Sequence, residues 1–299
     1  MTRTKWRMEL PLHIMLWPGL ALVLIFSYGP MVGIVVAFQD FIPTKGIFGS
    51  EWVGMKHFSY VYSLPQTKSV IYNTIFISGM KIIAGLFVPI TTALLLNEIK
   101  RQAFKRTVQT VIYLPHFLSW VVLSGILLDV LSPSSGILNQ ALGALGIEPI
   151  YFLGSQTWFP FVMVGTDVWK EFGFGTIVYL AALTSINPML YEAAVIDGAS
   201  RWKQTLHITL PGMLPIIVLM TTLSLGNVLN AGFDQIFNMY NPSVYATGDI
   251  LDTFVYRLAF INAQFSVATA VGLFKSVISF AMITISYLLA YRFANYRIF

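Results

Sequence analysis

The chain has no cysteine. That absence excludes a disulfide framework, a thiolate metal site and a cysteine nucleophile, and it leaves the redox compartment undefined. Charge is scarce: 10% of the 299 residues are Asp, Glu, Lys or Arg, against about 25% in soluble domains. No GxxxxGK(S/T) sequence occurs, so the chain cannot cradle nucleotide phosphates in the P-loop manner. No HExxH, GxSxG or paired catalytic carboxylate motif supports an intramembrane enzyme. Repeat-related halves, usual in ion-coupled secondary transporters, are also missing. The sequence therefore assigns no catalytic residue, no metal ligand and no cofactor to the chain itself.

What is abundant is apolar length. Hydrophobic residues make up 56% of the chain, and a bilayer core about 30 Å thick needs roughly 20 of them per helix. Six runs qualify, at about 13–38, 69–96, 107–131, 158–184, 211–233 and 264–291. The first and fifth are free of charge, whereas Asp167, Lys170 and Glu171 interrupt the fourth. The first run is too long for a signal peptide and lacks a small-residue cleavage site, so it is expected to remain as a membrane helix. The sequence predicts an all-α integral membrane protein, with six transmembrane helices forming a single domain over residues 1–299.

Orientation follows from Lys and Arg. Arg3, Lys5, Arg7, Lys100, Arg101, Lys105, Arg106, Arg201, Lys203, Arg292 and Arg297 fall on one side of the predicted spans; Lys45, Lys56, Lys68 and Arg257 fall on the other. The positive-inside rule makes the richer side cytoplasmic and puts both termini there. The net charge of +5 is then a topological signature, with no need for a nucleic-acid partner. The external connections 39–68, 132–157 and 234–263 are long and rich in Gly, Pro, Asn and aromatics. Within them Ser132–Gly136 reads as a turn into a short interfacial helix, Ile137 to Leu145. Pro18, Pro30, Pro89 and Pro115 predict kinks in the first three spans, and Gly29 with Gly33 forms a GxxxG helix-contact pattern.

The inner loop between spans 4 and 5, about 186–210, is too polar to cross a membrane and too patterned to be slack. Pro188 suits a helix start. Met189, Leu190, Ala193, Ala194 and Ile196 make an apolar stripe that ends at Gly198, a helix-stop signal. A second short helix, about Ser200 to His207, is expected before Pro211 opens span 5. Two short helices with exposed Ala, Val, Trp and Leu side chains would form an apolar patch that requires a partner.

Glu192-Ala193-Ala194, followed by Asp197-Gly198-Ala199, Trp202 and Ile208-Thr209-Leu210-Pro211, resembles the EAA coupling loop of bacterial ABC import permeases. Further similarity to carbohydrate-type permeases lies in Trp52-Val53-Gly54 with Phe58, Asn73-Thr74, Gly136 with Asn139, and Tyr179 to Leu183. Leu114 to Trp120, Gly232 to Ile236 through Pro242, Asp252-Thr253 with Val255 to Arg257, and Ala270 to Ser276 are similar to the subfamily linked to oligo- and polysaccharide fragments. The chain lacks the extra N-terminal helices and large extracytoplasmic insertion of the maltose type. The resemblance implies a type I importer permease fold in a bacterial cytoplasmic membrane. It also implies a second homologous permease in a heterodimer, two ATP-binding subunits carrying ATP and Mg, an extracytoplasmic solute-binding protein and a carbohydrate substrate. The loop residues Glu192, Ala193, Ala194, Asp197, Gly198, Ala199, Trp202, Leu210 and Pro211 are then the ATPase contacts.

Asp167, Lys170 and Glu171 share one helical face. In a membrane that face must look toward a cavity or into an ion-pair network with Lys81 or Lys275. Sugars bind aromatic faces together with amide and carboxylate groups. Trp169, Tyr179, Asn227, Asn230 and Asp234 supply that chemistry beside the charged trio, while Trp158 suits an interface anchor. His116 and His207 lack metal-ligand spacing.

Overall fold

A computed structural model describes residues 3–294; Arg297, counted above for orientation, lies outside them. The first apolar run forms α1, Arg3–Val23, and continues through a π turn, Leu24–Tyr28, into a 3-10 stretch, Gly29–Phe38. A two-stranded antiparallel hairpin follows, pairing Gln39 with Trp52 and Asp40 with Glu51. Next come α2, Lys56–Ser63; α3, Pro65–Glu98; α4, Gln102–Tyr113; and α5, Trp120–Val130. The short α6, Ile137–Ala144, forms where the sequence predicts a short helix. It is followed by α7, Phe159–Thr184, and α8, Pro188–Ile196. The chain closes with α9, Arg201–Gly226; α10, Phe233–Met239; α11, Leu251–Tyr256; and α12, Phe265–Ala294. Among the described residues four helices are long and apolar enough to cross a membrane, and six spans result if each of two bent pairs counts as one.

The chain divides into two compact units, one up to Leu64 together with Val255–Phe274, the other Pro65–Phe254 with the remainder. In the first unit the Ser266 hydroxyl holds the hairpin, donating to the Gln39 carbonyl at 2.6 Å and accepting from the Phe41 N–H at 3.0 Å. Asp40 binds Lys56 at 2.6 Å and His57 at 3.0 Å. The Lys56 hydrogen bond holds the Asp40 carboxyl below the usual carboxylate range.

The second unit is built on close packing of α3 against α7. On α7, Gly175 lets Pro89 of α3 approach, since an added Cβ would stand 3.3 Å from its ring, and Gly173 admits α4, where a Cβ would overlap the Ile112 carbonyl. One core cluster joins Ile77, Leu123, Phe159, Met163, Ile236 and Ile250; another joins Ala93, Tyr179, Ala182, Leu183 and Met213.

Four expectations need correction. The third span is not a kinked rod: Gln102–Phe117 and Trp120–Val130 meet at 103°. Pro115 cannot donate to a helical carbonyl, the chain tightens into a 3-10 turn at Leu114–Phe117, and Ser119 caps α5 by accepting from the Val122 N–H at 3.3 Å. The second loop helix is continuous with span 5, because a π turn at Thr205–Thr209 carries the helix past Pro211. Span 5 itself stops at Gly226 and not near residue 233; Asn227–Gly232 is non-helical, and Gly232 adopts φ +96°. Gly29 and Gly33 make no contact with another helix of this chain: among the described residues a Cβ built at Gly33 meets nothing within 4 Å, and one at Gly29 meets only the Leu24 carbonyl of the preceding turn, at 3.6 Å.

Candidate functional site

The break after α9 forms one wall of a polar cavity of about 340 Å³ lined by Ser78, Lys81, Asp167, Ser224, Asn227, Asn230 and Gly232, with Ile82, Gly85 and Leu223. Non-helical backbone at membrane depth must find hydrogen-bond partners inside the protein. A polar stripe on α3 provides them. Asn73 Nδ2 donates to the carbonyls of Ala246 at 3.0 Å and Asp249 at 3.2 Å, and the Leu251 N–H donates to Thr74 Oγ1 at 2.9 Å. The Ser78 hydroxyl bridges the Val228 carbonyl and, at 2.5 Å, the Thr74 carbonyl of its own helix. Lys81 donates to the Ala231 carbonyl at 2.8 Å, to Asp167 at 3.0 Å and to Gln235 Oε1. Gln235, fully buried, donates in turn to the Met163 carbonyl and the Thr166 hydroxyl, each at 2.8 Å.

The sequence-predicted substrate residues separate into groups. Asp167, Asn227 and Asn230 meet at the polar cavity. Asp167 and Glu171 share a smaller one of about 190 Å³ beside Pro89. Lys170 turns away from both: its ammonium binds the His116 carbonyl at 3.0 Å and Glu171 at 2.7 Å, and lies 5.5 Å from the Trp120 ring centre. His116 completes this clamp, pairing with Glu171 at 2.7 Å and stacking on Phe174 at 4.1 Å. The clamp sits at the bend of the third span. Trp169 is half exposed and Asp234 is exposed in the first turn of α10, so neither lines the polar cavity. Tyr179 is buried in the core beside Met213 and is not available as a sugar platform. Of the two pairing partners considered for the charged trio, Lys81 takes Asp167, whereas Lys275 binds Asp252 at 2.5 Å and Asn230 at 2.8 Å. Ser78, Ser224 and Gln235 were missed as site residues. A lysine within an otherwise apolar run was the available signal, since a buried ammonium demands acceptors.

The loop is as ordered as the cavity. The Asn187 side chain caps α8, accepting from the Met189 N–H at 3.0 Å, and Pro188 occupies the first helical position. The helix ends in a Schellman motif: the Ala199 N–H binds the Ala194 carbonyl at 2.8 Å, the Gly198 N–H binds the Val195 carbonyl at 3.1 Å, and Gly198 adopts φ +73°. Ser200 caps α9. The Tyr191 hydroxyl lies 2.9 Å from that of Thr209, and Arg201 pairs with Glu98 at the end of α3. Against this bracing stands an unfilled surface. Met189, Leu190, Val195, Ile196 and Trp202 are 52–86% exposed. Glu192 and Asp197 are exposed too.

Residues 85–295 match the family described as binding-protein-dependent transport system inner membrane component. The chain is 40% identical to the polygalacturonan/rhamnogalacturonan transport system permease protein YteP of Bacillus subtilis, over 96% of this chain and 90% of that one. It is 39% identical to Protein LplB of the same organism, over 94% and 87%. A solved bacterial ABC transporter involved in the import of the acidic polysaccharide alginate includes a chain 37% identical, with TM-score 0.90 over 97% of this chain and 98% of that one. A second alginate transporter structure, in complex with an alginate pentasaccharide-bound periplasmic protein, matches with TM-score 0.89 over 97% and 96%. With the family matched across most of its length, the chain belongs to the binding-protein-dependent transport system inner membrane components and is an ABC transporter permease.

Proposed function

We propose that this permease forms half of the translocation pathway of an ATP-driven importer for an oligosaccharide or polysaccharide fragment. Its partners are a second, homologous permease, two ATP-binding subunits that carry ATP and Mg, and an extracytoplasmic solute-binding protein. The observation that carries the reading is the conjunction of a polar cavity beside a broken helix with likeness to saccharide permeases along nearly the whole chain. Asp167, Asn227, Asn230 and two serines give carboxylate, amide and hydroxyl groups suited to sugar hydroxyls. Energy enters from the ATPase side through the loop. Glu192 is exposed for a charge-assisted hydrogen bond, and the apolar side chains around it supply area for docking. ATPase closure pushes the loop and rocks the helices between outward-open and inward-open states.

In this topology both termini and the loop face the cytoplasm. Cysteines introduced singly at the exposed Thr44 and Ser243 in the cysteine-free chain should react with an impermeant reagent on intact cells, and one at Ser200 should not. Labelling at Ser200 overturns the orientation. Function is tested in proteoliposomes holding the whole transporter: saccharide-loaded binding protein should raise ATP hydrolysis and drive uptake, and uptake that survives without ATP sinks the proposal.

A further inference from the structure

Lys81 brings a positive charge to the polar cavity, and such a charge in a saccharide path invites assignment as a ligand for substrate carboxylates. Its surroundings argue for a different role. An ammonium has three donors, and all three are taken: by Asp167, by the Ala231 carbonyl and by Gln235. The side chain is only 9% exposed. Gly232 lies so close that a Cβ there would come within 2.9 Å of the ammonium nitrogen, and its φ of +96° suits glycine alone. The non-helical segment 227–232 is thus drawn onto α3 at two carbonyls, Val228 by Ser78 and Ala231 by Lys81. Between these anchors Asn230 is turned toward the cavity, with Lys275 on its side-chain oxygen at 2.8 Å.

We infer that Lys81 is a positioning residue: it fixes the broken end of span 5 in the shape that presents Asn227 and Asn230 to the translocation path, and it does not itself bind substrate. The inference rests on the saccharide-path reading only for what passes along that path; the backbone geometry is independent of it.

The test exploits the cysteine-free chain. Asn227→Cys and Asn230→Cys are placed singly in the reconstituted transporter, and their rates of reaction with a small hydrophilic methanethiosulfonate are compared between native Lys81 and Lys81→Met/Asp167→Asn. The double substitution removes both charges, so no orphaned carboxylate remains. Loss of the Ala231 anchor should change at least one rate by about tenfold, the shift expected when one charge-assisted hydrogen bond is removed, while a cysteine at Ser200 reacts as before. Rates equal to those with native Lys81 mean that the lysine only neutralises Asp167, and the proposal falls. If that variant does not assemble, Lys81→Leu/Asp167→Leu takes its place, because it removes the Ala231 anchor and both charges while filling the space with apolar groups; unchanged rates there also overturn the proposal. A separate arm asks whether trigalacturonate or maltotriose, delivered by the cognate binding protein, protects the cysteine at 230 when Lys81 is native. Protection by neither removes the saccharide-path reading and leaves the positioning result intact.

Discussion

The cavity wall and the loop at 186–210 are both built around a break in a helix, and they resolve it in opposite ways. At Asn227–Gly232 the freed carbonyls and the nearby charge are satisfied within the chain by Ser78, Lys81 and Gln235. At Asp197–Ser200 the backbone is equally well capped, yet Ile196 and Trp202 remain 86% and 69% exposed. Substitution in the wall is therefore expected to cost stability, and substitution on the loop surface to cost coupling while the fold survives. Gly232 and Gly198, the positive-φ glycines of these two breaks, repeat the contrast. A Cβ at Gly232 meets the Lys81 ammonium, and one at Gly198 meets open space.

The largest expected effect on stability comes from Gln235→Leu, which strips Lys81 of an acceptor in a buried setting. A loss of about 2–3 kcal/mol should appear as a lower thermal midpoint of the solubilised permease, and an unchanged midpoint would contradict the role given to the wall. Trp202→Ala should leave that midpoint within the roughly 0.5 kcal/mol typical of surface changes. Binding-protein stimulation of ATP hydrolysis should nevertheless fall about tenfold if Trp202 anchors the ATPase contact. Parallel loss of stability and stimulation would erase the distinction. Next, alanine at each glycine should separate the regions: both carry the αL cost of about 1–2 kcal/mol, but Gly232→Ala adds a contact with Lys81 and should destabilise more. Equal midpoints would show that the close approach is dispensable.

The smallest effect belongs to Asp40. Its carboxyl is held below the usual range by Lys56, so the folded state favours the ionised form. The resulting stabilisation is present at neutral and mildly acidic pH and is lost only as pH falls below the ordinary aspartate range. Asp40→Asn should flatten that low-pH decline slightly and leave the profile near neutrality unchanged, as read from thermal midpoints across a pH series.

Much of the loop was legible beforehand, because its signals are local. Pro188 marks a helix start and Gly198 a stop, and the structure supplies the cap and the Schellman bonds at those residues. The pattern predicts a separate second loop helix because Pro211 normally begins or breaks a helix, whereas a π turn lets the chain pass it. Span 5 was overextended for a related reason: Val228, Leu229 and Ala231 prolong the apolar run, while the backbone partners that make a break tolerable lie on α3, some 150 residues earlier. Tyr179 looked like a sugar platform from composition, and packing with Met213 put it in the core.

The sequence by itself determined the membrane class, the approximate spans and where the first loop helix starts and stops, since lipid imposes length and apolarity on each helix and the loop's punctuation acts within a few residues. Only the tertiary structure decided where helices break and which polar groups meet. Lys81, Asp167 and the segment Ala231 to Gln235 sit on three separate stretches of chain, and a buried charge becomes tolerable only after folding brings its acceptors within hydrogen-bond reach.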